Sequence, residues 1–586
     1  MTKGLIYFER IKGRGFAPAL YSQLPTDTLS FRMKHSGMRN LRFIFLSAVI
    51  LLTFSTLHAQ QLNLSFNQEY SSYYDQSFND PSIPLHTGFK PMIESETSKY
   101  KASDSAVNTI GYYNKQGKKS WFYRKFYDES LFILHDTVKK FWATIDPLFN
   151  FQFGDDKGDS ARKVSQNTRG FIIQGGIGPK FSFSSSFFED QATFPYYLDS
   201  YIQNYKVIPG QGRVKLINST LGGSFYDNGY DFSVSESYLS FSPSSHFNIQ
   251  LGQGKNFIGD GYRSLLLSDN SFDYPYLRVT STFGRFQYTN MYCLLMNTTE
   301  AILAIGTEGL FQRKAANFQY LSWSATNRLE IGIFQALIWK ASDTNNRQCY
   351  NMNYFDPIIG VSAARYGLAD DNHNVLLGST IKYKITNNVL AYGQVVIDDM
   401  GTSQSIKNKT GYQLGLKYYN HMGELLLEYN QVRPYTYTDD NYAENYTNYN
   451  QALADPLGAN FKEFIAQVNF RFAKHFAVHL QANYALIGGD APGANNGGNI
   501  FLSDTSGTKN MTSVKMGQGL KGTLNYMDGH ISYLMNPKTN MNVVLGITYR
   551  GFKESSSTGT GDIKDPTTML FYIGFRTSIT NSYFDF

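Results

Sequence analysis

Two segments of the chain combine the types of side chain that carbohydrate-binding sites use. Residues 252–278 and 428–460 are rich in Asn, Asp, Arg and Tyr. Sugar hydroxyls pair with polar side chains, whereas the apolar faces of sugar rings stack on aromatic rings. The candidate polysaccharide contacts are Lys255, Asn256, Asp260, Arg263, Arg433, Tyr435, Tyr437 and Asn460. The same residues could instead satisfy backbone groups of long loops folded inward, and residue types alone do not separate the two alternatives.

Motifs for catalysis or metal binding are scarce in this sequence. It contains no H-E-x-x-H motif, no G-x-S-x-G nucleophile elbow and no P-loop. Gly517–Gly522 matches G-x-G-x-x-G without a β-α-β context, which favours a strand with small residues. His475 and His479 would lie about 13 Å apart along a strand, too far to share one ion. We therefore predict no enzyme activity, no cofactor and no metal site, and we interpret Asp155–Asp159 as a hairpin turn rather than a cation loop.

The positive charge of the chain is concentrated at its N-terminus. The whole chain has 53 Lys and Arg against 47 Asp and Glu, a net charge of +6. The first 59 residues contain eight of the basic and two of the acidic residues, which leaves 45 of each in the remainder. The balance gives no reason to expect a nucleic-acid partner.

The N-terminal residues have the pattern of a secretory signal peptide. A cationic stretch, Arg39–Arg42, precedes the short apolar segment Phe43–Phe54, and Leu57–Ala59 is a plausible cleavage site. We predict that residues 1–59 form an N-terminal extension and signal peptide and are removed. Cys293 and Cys349 lie far from this site, so neither is a lipid-attachment cysteine. A free buried thiol is the favoured state of each, with a disulfide between them as the alternative.

Alternation of apolar and polar residues predicts β-strands along most of the chain. Phe571–Phe586 alternates in this way, which is typical of the closing strand of an outer-membrane barrel with one lipid face and one wet face. At roughly 24 residues per strand and connection, residues 164–586 predict an all-β transmembrane antiparallel barrel of about 16 to 18 strands. The lumen of such a barrel is large, and we expect it to be filled. Predicted turns are Asp227–Gly229, Thr386–Asn388, Met527–Gly529 and Asn536–Pro537.

The residues before the predicted barrel have a different pattern of polarity. Residues 60–163 are mixed in polarity, and Trp121–Asp146 includes an apolar stretch that favours a helix. We predict that this part is a small, partly helical periplasmic cap or plug. The alternative is that it supplies the first one or two strands of the barrel.

Seven ordered motifs carry a family resemblance. They are Ile145–Asn150, Gly254–Asn270, Asp356–Ile359, Asn374–Gly378, Tyr392–Gln394, Arg433–Tyr437 and Pro456–Asn460. Together they resemble RemB-type gliding-motility proteins of the Bacteroidetes and their relatives, the Wzi capsule assembly proteins. The resemblance implies an 18-stranded outer-membrane barrel with a periplasmic helical portion, which is a polysaccharide-attaching lectin in Wzi and a cell-surface motility component in RemB. Phe257–Asp260 replaces a Trp-Gly-rich motif of Wzi, so the match is closer to RemB.

These observations predict a non-enzymatic outer-membrane protein that reaches the cell surface through its signal peptide. Its expected partners are surface or exported polysaccharide, outer-membrane lipid, and other motility or envelope proteins. The expected role is capsule or exopolysaccharide attachment, or a gliding-associated function. The alternative function is that of a porin-like channel for small polar solutes.

Overall fold

The computed structural model describes most of the chain after residue 60. The described residues are 61–65, 67–72, 74–98, 120–138, 140–212, 215–217, 229–301, 311–342, 352–368, 373–399, 408–473, 475–504, 514–555, 562–577 and 580–586. The predicted signal peptide, Cys349 and the first two residues of the predicted turn Asp227–Gly229 lie outside them.

The chain forms a closed antiparallel barrel of 18 strands. This confirms the predicted fold class, and the strand number lies at the upper end of the expected range. The strands are β1 Phe141–Asp156, β2 Arg162–Ile177, β3 Phe181–Thr193, β4 Gly229–Ser244, β5 Phe247–Gly254, β6 Tyr274–Phe283, β7 Phe286–Ala301, β8 Phe311–Ser324, β9 Leu329–Lys340, β10 Asn374–Lys384, β11 Val389–Asp399, β12 Lys409–Asn420, β13 Gly423–Val432, β14 Phe461–Arg471, β15 Phe476–Gly489, β16 Leu520–Asn536, β17 Met541–Ser555 and β18 Thr568–Thr577. Each strand pairs with its neighbour in sequence, and β18 pairs with β1 to close the cylinder.

The two ends of the barrel differ in the length of their connections. At one end every connection has two to four residues, as in 245–246 and 537–540, whereas at the other end connections reach 35 residues. Outer-membrane barrels place short turns in the periplasm and long loops outside the cell. We therefore assign the short-turn end to the periplasm and the long-loop end to the cell surface.

Side chains alternate between lipid and lumen along the strands. On β18, Phe571 and Ile573 are exposed on the outer face, whereas Leu570 and Tyr572 are buried inside. Leu545 on β17 and Phe153 on β1 continue the exposed apolar band. Such a surface is stable only in contact with lipid, because these large side chains would otherwise face water.

The C-terminal strand is shorter than the sequence predicted. β18 ends at Thr577, and residues 580–586 turn back into the lumen, where Tyr583 and Asp585 are buried. The alternation of the last residues therefore does not extend the barrel wall. Instead, Asp585 makes an ion pair inside the lumen.

Two local predictions near the N-terminus of the barrel were wrong. The barrel begins at Phe141 rather than Val164. The part before Val164 therefore supplies strand β1, which was the alternative interpretation of that part. Within the predicted helical stretch only Trp121–Tyr127 is helical, and Phe132–Asp136 is a strand paired with β1. Short apolar runs suit a helix or a strand equally, and here the available backbone partner decides.

Turn residues were misleading at one further position. The predicted turn Met527–Gly529 lies inside β16, where Asp528 and Gly529 pair with Thr548 and Ile547 of β17. A Gly within a strand does not end it when both neighbouring strands supply backbone partners. Thr386–Asn388 and Asn536–Pro537 lie at hairpin connections, and the hairpin at Asp155–Asp159 is likewise confirmed.

The remaining described elements are short. The helices are α1 Gln68–Ser71, α2 Asp75–Phe78, α3 Glu94–Ser98, α4 Trp121–Tyr127, α5 Tyr196–Tyr205 and α6 Val361–Tyr366, with 3-10 turns at Met352–Phe355 and Tyr442–Glu444. Short strands outside the barrel ladder pair as Phe89–Lys90 with Phe257–Ile258 and Thr447–Asn448 with Gln451–Ala452, while Lys215–Ile217 adds to β4 and Asp562–Lys564 to β17. None of the helices in the described ranges is long and apolar enough to cross a membrane.

The N-terminal segment, residues 61–98, crosses the lumen near the periplasmic end. The backbone N–H of Gln61 donates to Ser182 Oγ on β3, and Asn79 Nδ2 donates to the carbonyls of Thr386 and Asn387 between β10 and β11. These contacts lie on widely separated strands of the cylinder. The N-terminal segment therefore spans the interior of the barrel from one wall to another.

Candidate functional site

The loop between β5 and β6, residues 255–273, folds into the lumen. Leu265, Leu266 and Leu267 are completely buried and pack in the main core cluster. Gly259 has φ of 135°, and a Cβ there would lie 2.1 Å from Gln394 Nε2 on β11. Only glycine combines this backbone conformation with so close a neighbour. The motif Gly254–Asn270 therefore encodes, first of all, a loop that fits inside the barrel.

A buried ion cluster around Arg263 holds this loop in place. Arg263 Nη2 lies 3.0 Å from Glu463 Oε1 on β14, and Nη1 lies 3.1 Å from Asp585 Oδ1 in the C-terminal segment. The carboxylate of Asp455, in the loop after β13, lies 3.8 Å from Nε. A buried guanidinium requires such partners, because an uncompensated buried charge costs several kcal/mol. One side chain thus joins two loops, the barrel wall and the C-terminal segment.

The backbone of the same loop is fixed by a second carboxylate. Glu428, on β13, accepts hydrogen bonds from the backbone N–H groups of Tyr262 and Arg263 at 2.8 and 3.0 Å. The hydroxyl of Tyr392 also donates to Glu428, at 2.8 Å. These contacts satisfy loop donors that no regular secondary structure would satisfy.

The buried charges shift the pKa values of the loop residues. Burial disfavours the charged form of Arg263, but Asp585 and Glu463 outweigh that effect and hold the pKa of its guanidinium well above its usual range. Burial, together with the charge of Glu463, raises the pKa of the Asp455 carboxyl well above its usual range, although Arg263 opposes this. The cluster therefore favours a neutral Asp455 beside a charged Arg263.

The loop between β13 and β14, residues 433–460, packs on top of the first loop. Tyr437 donates from its hydroxyl to the carbonyl of Leu265 at 2.7 Å, and its ring stacks on that of Tyr446. Tyr435 and Tyr437 have φ values of 65° and 74°, which non-glycine residues rarely adopt. Such strain persists only where the surroundings fix the backbone, and it is common in functional loops.

The structure places most of the predicted contact residues inside the lumen. Lys255, Asn256, Arg263, Tyr435, Tyr437 and Asn460 are buried, whereas Asp260 and Arg433 are half-buried. Their hydrogen-bond partners are intramolecular. In the first loop, Lys255 donates to the carbonyl of Gly210, Asn256 accepts from Arg278, and Asp260 accepts from Thr87. In the second loop, Tyr435 donates to the carbonyl of Asn495, and Asn460 donates to the carbonyls of Gly488 and Gln518. These contacts correspond to the alternative in which polar residues support inward-folded loops.

Arg433 differs from the other seven. Its backbone is fixed, because its N–H donates to the carbonyl of Thr410 and its own carbonyl accepts from Asn460. Within the described part of the chain, its side-chain Nε has no hydrogen-bond partner. The protein itself therefore leaves the buried Nε of Arg433 without a partner, and the same holds for Nδ2 of Asn256.

Two adjoining cavities remain in the lumen beside the filled region. Their volumes are about 220 and 240 Å³, and they share Glu69, Gln166 and His479 among their lining residues. Among the described residues, Asn150 Oδ1, Thr568 Oγ1 and Arg576 Nε are buried at these cavities without a hydrogen-bond partner. Polar cavities of this size hold ordered water, at about 30 Å³ per molecule in the liquid, or a small hydroxylated ligand.

Several important residues were not among those predicted from sequence. Glu463, Asp585 and the cavity residues Asp528 and His530 were not singled out. The sequence carries only a weak signal for these residues. A Glu within a strand of alternating polarity indicates that this face of the strand lies toward the lumen, but it does not indicate the partner of the Glu.

The histidines considered as metal ligands are separate. His475 lies in a periplasmic turn and contacts the carbonyl of Leu534, whereas His479 stacks on His530 with ring centroids 4.9 Å apart. No group of three His, Cys, Asp or Glu side chains in the described ranges is arranged to hold a metal ion. Cys293 is a free, buried thiol.

These features define a class: an outer-membrane β-barrel whose lumen is filled by its own N-terminal segment, loops and C-terminal residues. The family model for the capsule assembly protein Wzi matches residues 142–553, more than half of the chain. The protein belongs to the Wzi capsule assembly family.

Solved structures with the same kind of fold are distant in sequence. Wzi of Escherichia coli is 13% identical, with a TM-score of 0.51 over 89% of this chain and 100% of that one. OpdK of Pseudomonas aeruginosa is 10% identical, with a TM-score of 0.39 over 76% of this chain and 99% of that one. OprD of the same organism is 12% identical, with a TM-score of 0.37 over 75% and 96%. No curated protein sequence matches the chain significantly.

Proposed function

We propose that this protein binds surface or exported polysaccharide at the cell surface and attaches capsule or exopolysaccharide there. The observation that carries the proposal is membership of the Wzi family over residues 142–553. Wzi of Escherichia coli is described as a carbohydrate-binding β-barrel involved in group 1 capsule assembly. The filled lumen supports binding at the long-loop end over passage through the barrel.

Arg433 is the residue we propose for direct contact with the glycan. It lies where β13 ends at the cell-surface end; the residue is half-buried, and its buried Nε is unpaired among the described residues. Arginine offers five donors in a fixed plane, which suits carboxylates and paired hydroxyls of acidic or neutral sugars. Tyr435, Tyr437 and Asn460 position this loop, and the first loop with Lys255, Asn256, Asp260 and Arg263 supports it from below.

Replacement of Arg433 tests this proposal. Because a hydrogen bond to a charged group contributes about 1.5–3 kcal/mol, Arg433→Ala should weaken polysaccharide binding about 10-fold or more. Arg328→Ala is the matched control, since Arg328 is exposed in a periplasmic turn. Capsule retained by cells is measured at equal barrel abundance. A deletion strain that retains its polysaccharide would refute the function, whereas normal retention by Arg433→Ala alone would refute only the residue.

The finer role and the alternatives need separate tests. The motif resemblance to RemB supports a gliding-associated function, which predicts that a deletion strain loses surface spreading. A porin-like channel predicts a large stable conductance in a planar bilayer, which the N-terminal segment and inward loops oppose. We further infer that the protein acts by binding rather than turnover, so purified barrel should leave labelled polysaccharide and phospholipid intact.

A further inference from the structure

Large apolar side chains are exposed on the short helix α4 and the strand that follows it. Within α4, Trp121 is 51% exposed, Phe122 69%, Tyr123 41% and Phe126 47%. In the strand Phe132–Asp136, the residues Phe132, Ile133 and Leu134 are each more than half exposed. A soluble surface rarely concentrates so many large apolar groups, and such a patch marks an interaction surface. We refer to residues 121–134 as the aromatic segment.

The strand register places part of the aromatic segment on the lipid-facing side of the barrel. On β1, Phe151 and Phe153 point outward, and Ile573 of β18 pairs with Phe153. Ala143 and Ile145 are on the same face of β1 by alternation, and they pair with Leu134 and Phe132. Phe132 and Leu134 therefore continue the outer apolar face below the point where β18 ends.

Helix α4 is held at the periplasmic rim next to this strand. Asn536, at the end of β16, donates from Nδ2 to the carbonyls of Lys125 and Glu129, at 3.2 and 3.1 Å. Lys125 and Glu129 form an ion pair at 3.1 Å, and Arg124 is half exposed beside the aromatic rings. The helix is thus tied to the barrel through its polar atoms, while the rings of Trp121, Phe122 and Phe126 remain exposed.

We propose that the aromatic segment lies in the periplasmic leaflet of the outer membrane, with phospholipid as its partner. Two features favour lipid over a protein partner. The exposed face is continuous with the lipid-facing band of β1 and β18, and its composition is that of a membrane interface. Trp, Tyr and Phe rings combine there with Arg and Lys side chains that reach the headgroups. The segment would anchor the periplasmic rim of the barrel next to the periplasmic ends of β16, β17 and β18.

Site-directed spin labelling tests the position of α4 in the folded protein. Phe122→Cys is labelled with a nitroxide in a Cys293→Ala, Cys349→Ala background and reconstituted into phosphatidylethanolamine–phosphatidylglycerol vesicles. Ile573→Cys is the control in lipid, and Lys538→Cys, exposed in the turn after Asn536, is the control in water. Accessibility of the label to oxygen and to a water-soluble nickel complex is measured, and heat-modifiable gel migration shows that each barrel is folded.

The proposal predicts that position 122 resembles Ile573, with high oxygen and low nickel accessibility. Accessibility like that of Lys538 would overturn it, because α4 would then lie in water. Low accessibility to both reagents would also overturn it, since α4 would then be covered by protein or by a second copy. If the cysteine-free barrel does not fold, Trp121→Phe in the native sequence replaces this test: it should remove part of the fluorescence quenching by lipids brominated near the headgroup. Unchanged quenching contradicts the proposal.

Discussion

Replacement of Arg263 by Met gives the sharpest test of how the lumen is filled. The substitution keeps most of the volume of the side chain and removes its charge. The carboxylates of Glu463 and Asp585, at 3.0 and 3.1 Å, then lose their common cation. Because these groups are largely buried, water replaces the guanidinium only in part.

The expected loss of stability follows from known buried pairs. Removing one partner of a buried ion pair costs about 3–5 kcal/mol. With a denaturant slope of about 3 kcal/mol per molar urea for a protein of this size, the unfolding midpoint should fall by roughly 1–2 M. Arg328→Met, at an exposed periplasmic position, should change the midpoint by much less, since surface substitutions are usually within about 0.5 kcal/mol.

The assay is urea unfolding of the detergent-solubilised barrel, followed by tryptophan fluorescence and gel migration. A second readout is single-channel conductance, because release of loop 255–273 should open the lumen. An Arg263→Met barrel with the unfolding midpoint and conductance of the unmodified protein would refute the conclusion that the ion pairs of Arg263 hold the loops in the lumen.

Two further predictions concern the same loops. Because the pKa of Asp455 is raised in the folded state, the stability of the protein should fall as pH rises from the usual carboxyl range through that raised pKa. The variant Asp455→Asn should not show this decline. Urea unfolding midpoints between about pH 5 and 9 measure the difference. An unaltered pH slope in the variant would contradict the assignment. Gly259→Ala should destabilise the loop by about 1–3 kcal/mol and increase its cleavage by added protease, because φ is 135° and Gln394 leaves no room for a Cβ. Gly284→Ala is the control, since φ there is also positive but no atom lies within 4 Å; equal effects at the two sites would exclude the steric explanation.

The fold was predictable because the barrel leaves a periodic signal in the sequence. Each strand must alternate between lipid and lumen, and Phe571 and Ile573 show that period directly. The boundaries of the strands were harder to predict from the sequence. The run Leu131–Leu134 before β1 is uniformly apolar, so its strand character depends on pairing between Phe132 and Ile145, which no local pattern encodes.

The roles of the candidate site residues could not be read from the sequence. Arg263 and Tyr437 have the chemistry of sugar contacts, yet their partners Glu463 and Leu265 are distant in sequence and complete their hydrogen bonding inside the lumen. Arg433 belongs to the same motif-rich loop, and only the folded structure distinguishes its unpaired Nε from the satisfied groups around it. Whether a polar side chain has a hydrogen-bond partner depends on the folded structure, and residue types alone do not reveal it.

The most direct test of the proposed function is binding of the purified barrel to polysaccharide isolated from the surface of the same cells, measured by surface plasmon resonance. We predict saturable binding that Arg433→Ala weakens about 10-fold or more and Arg328→Ala leaves unchanged. Absence of binding by the folded, unmodified barrel would contradict the account.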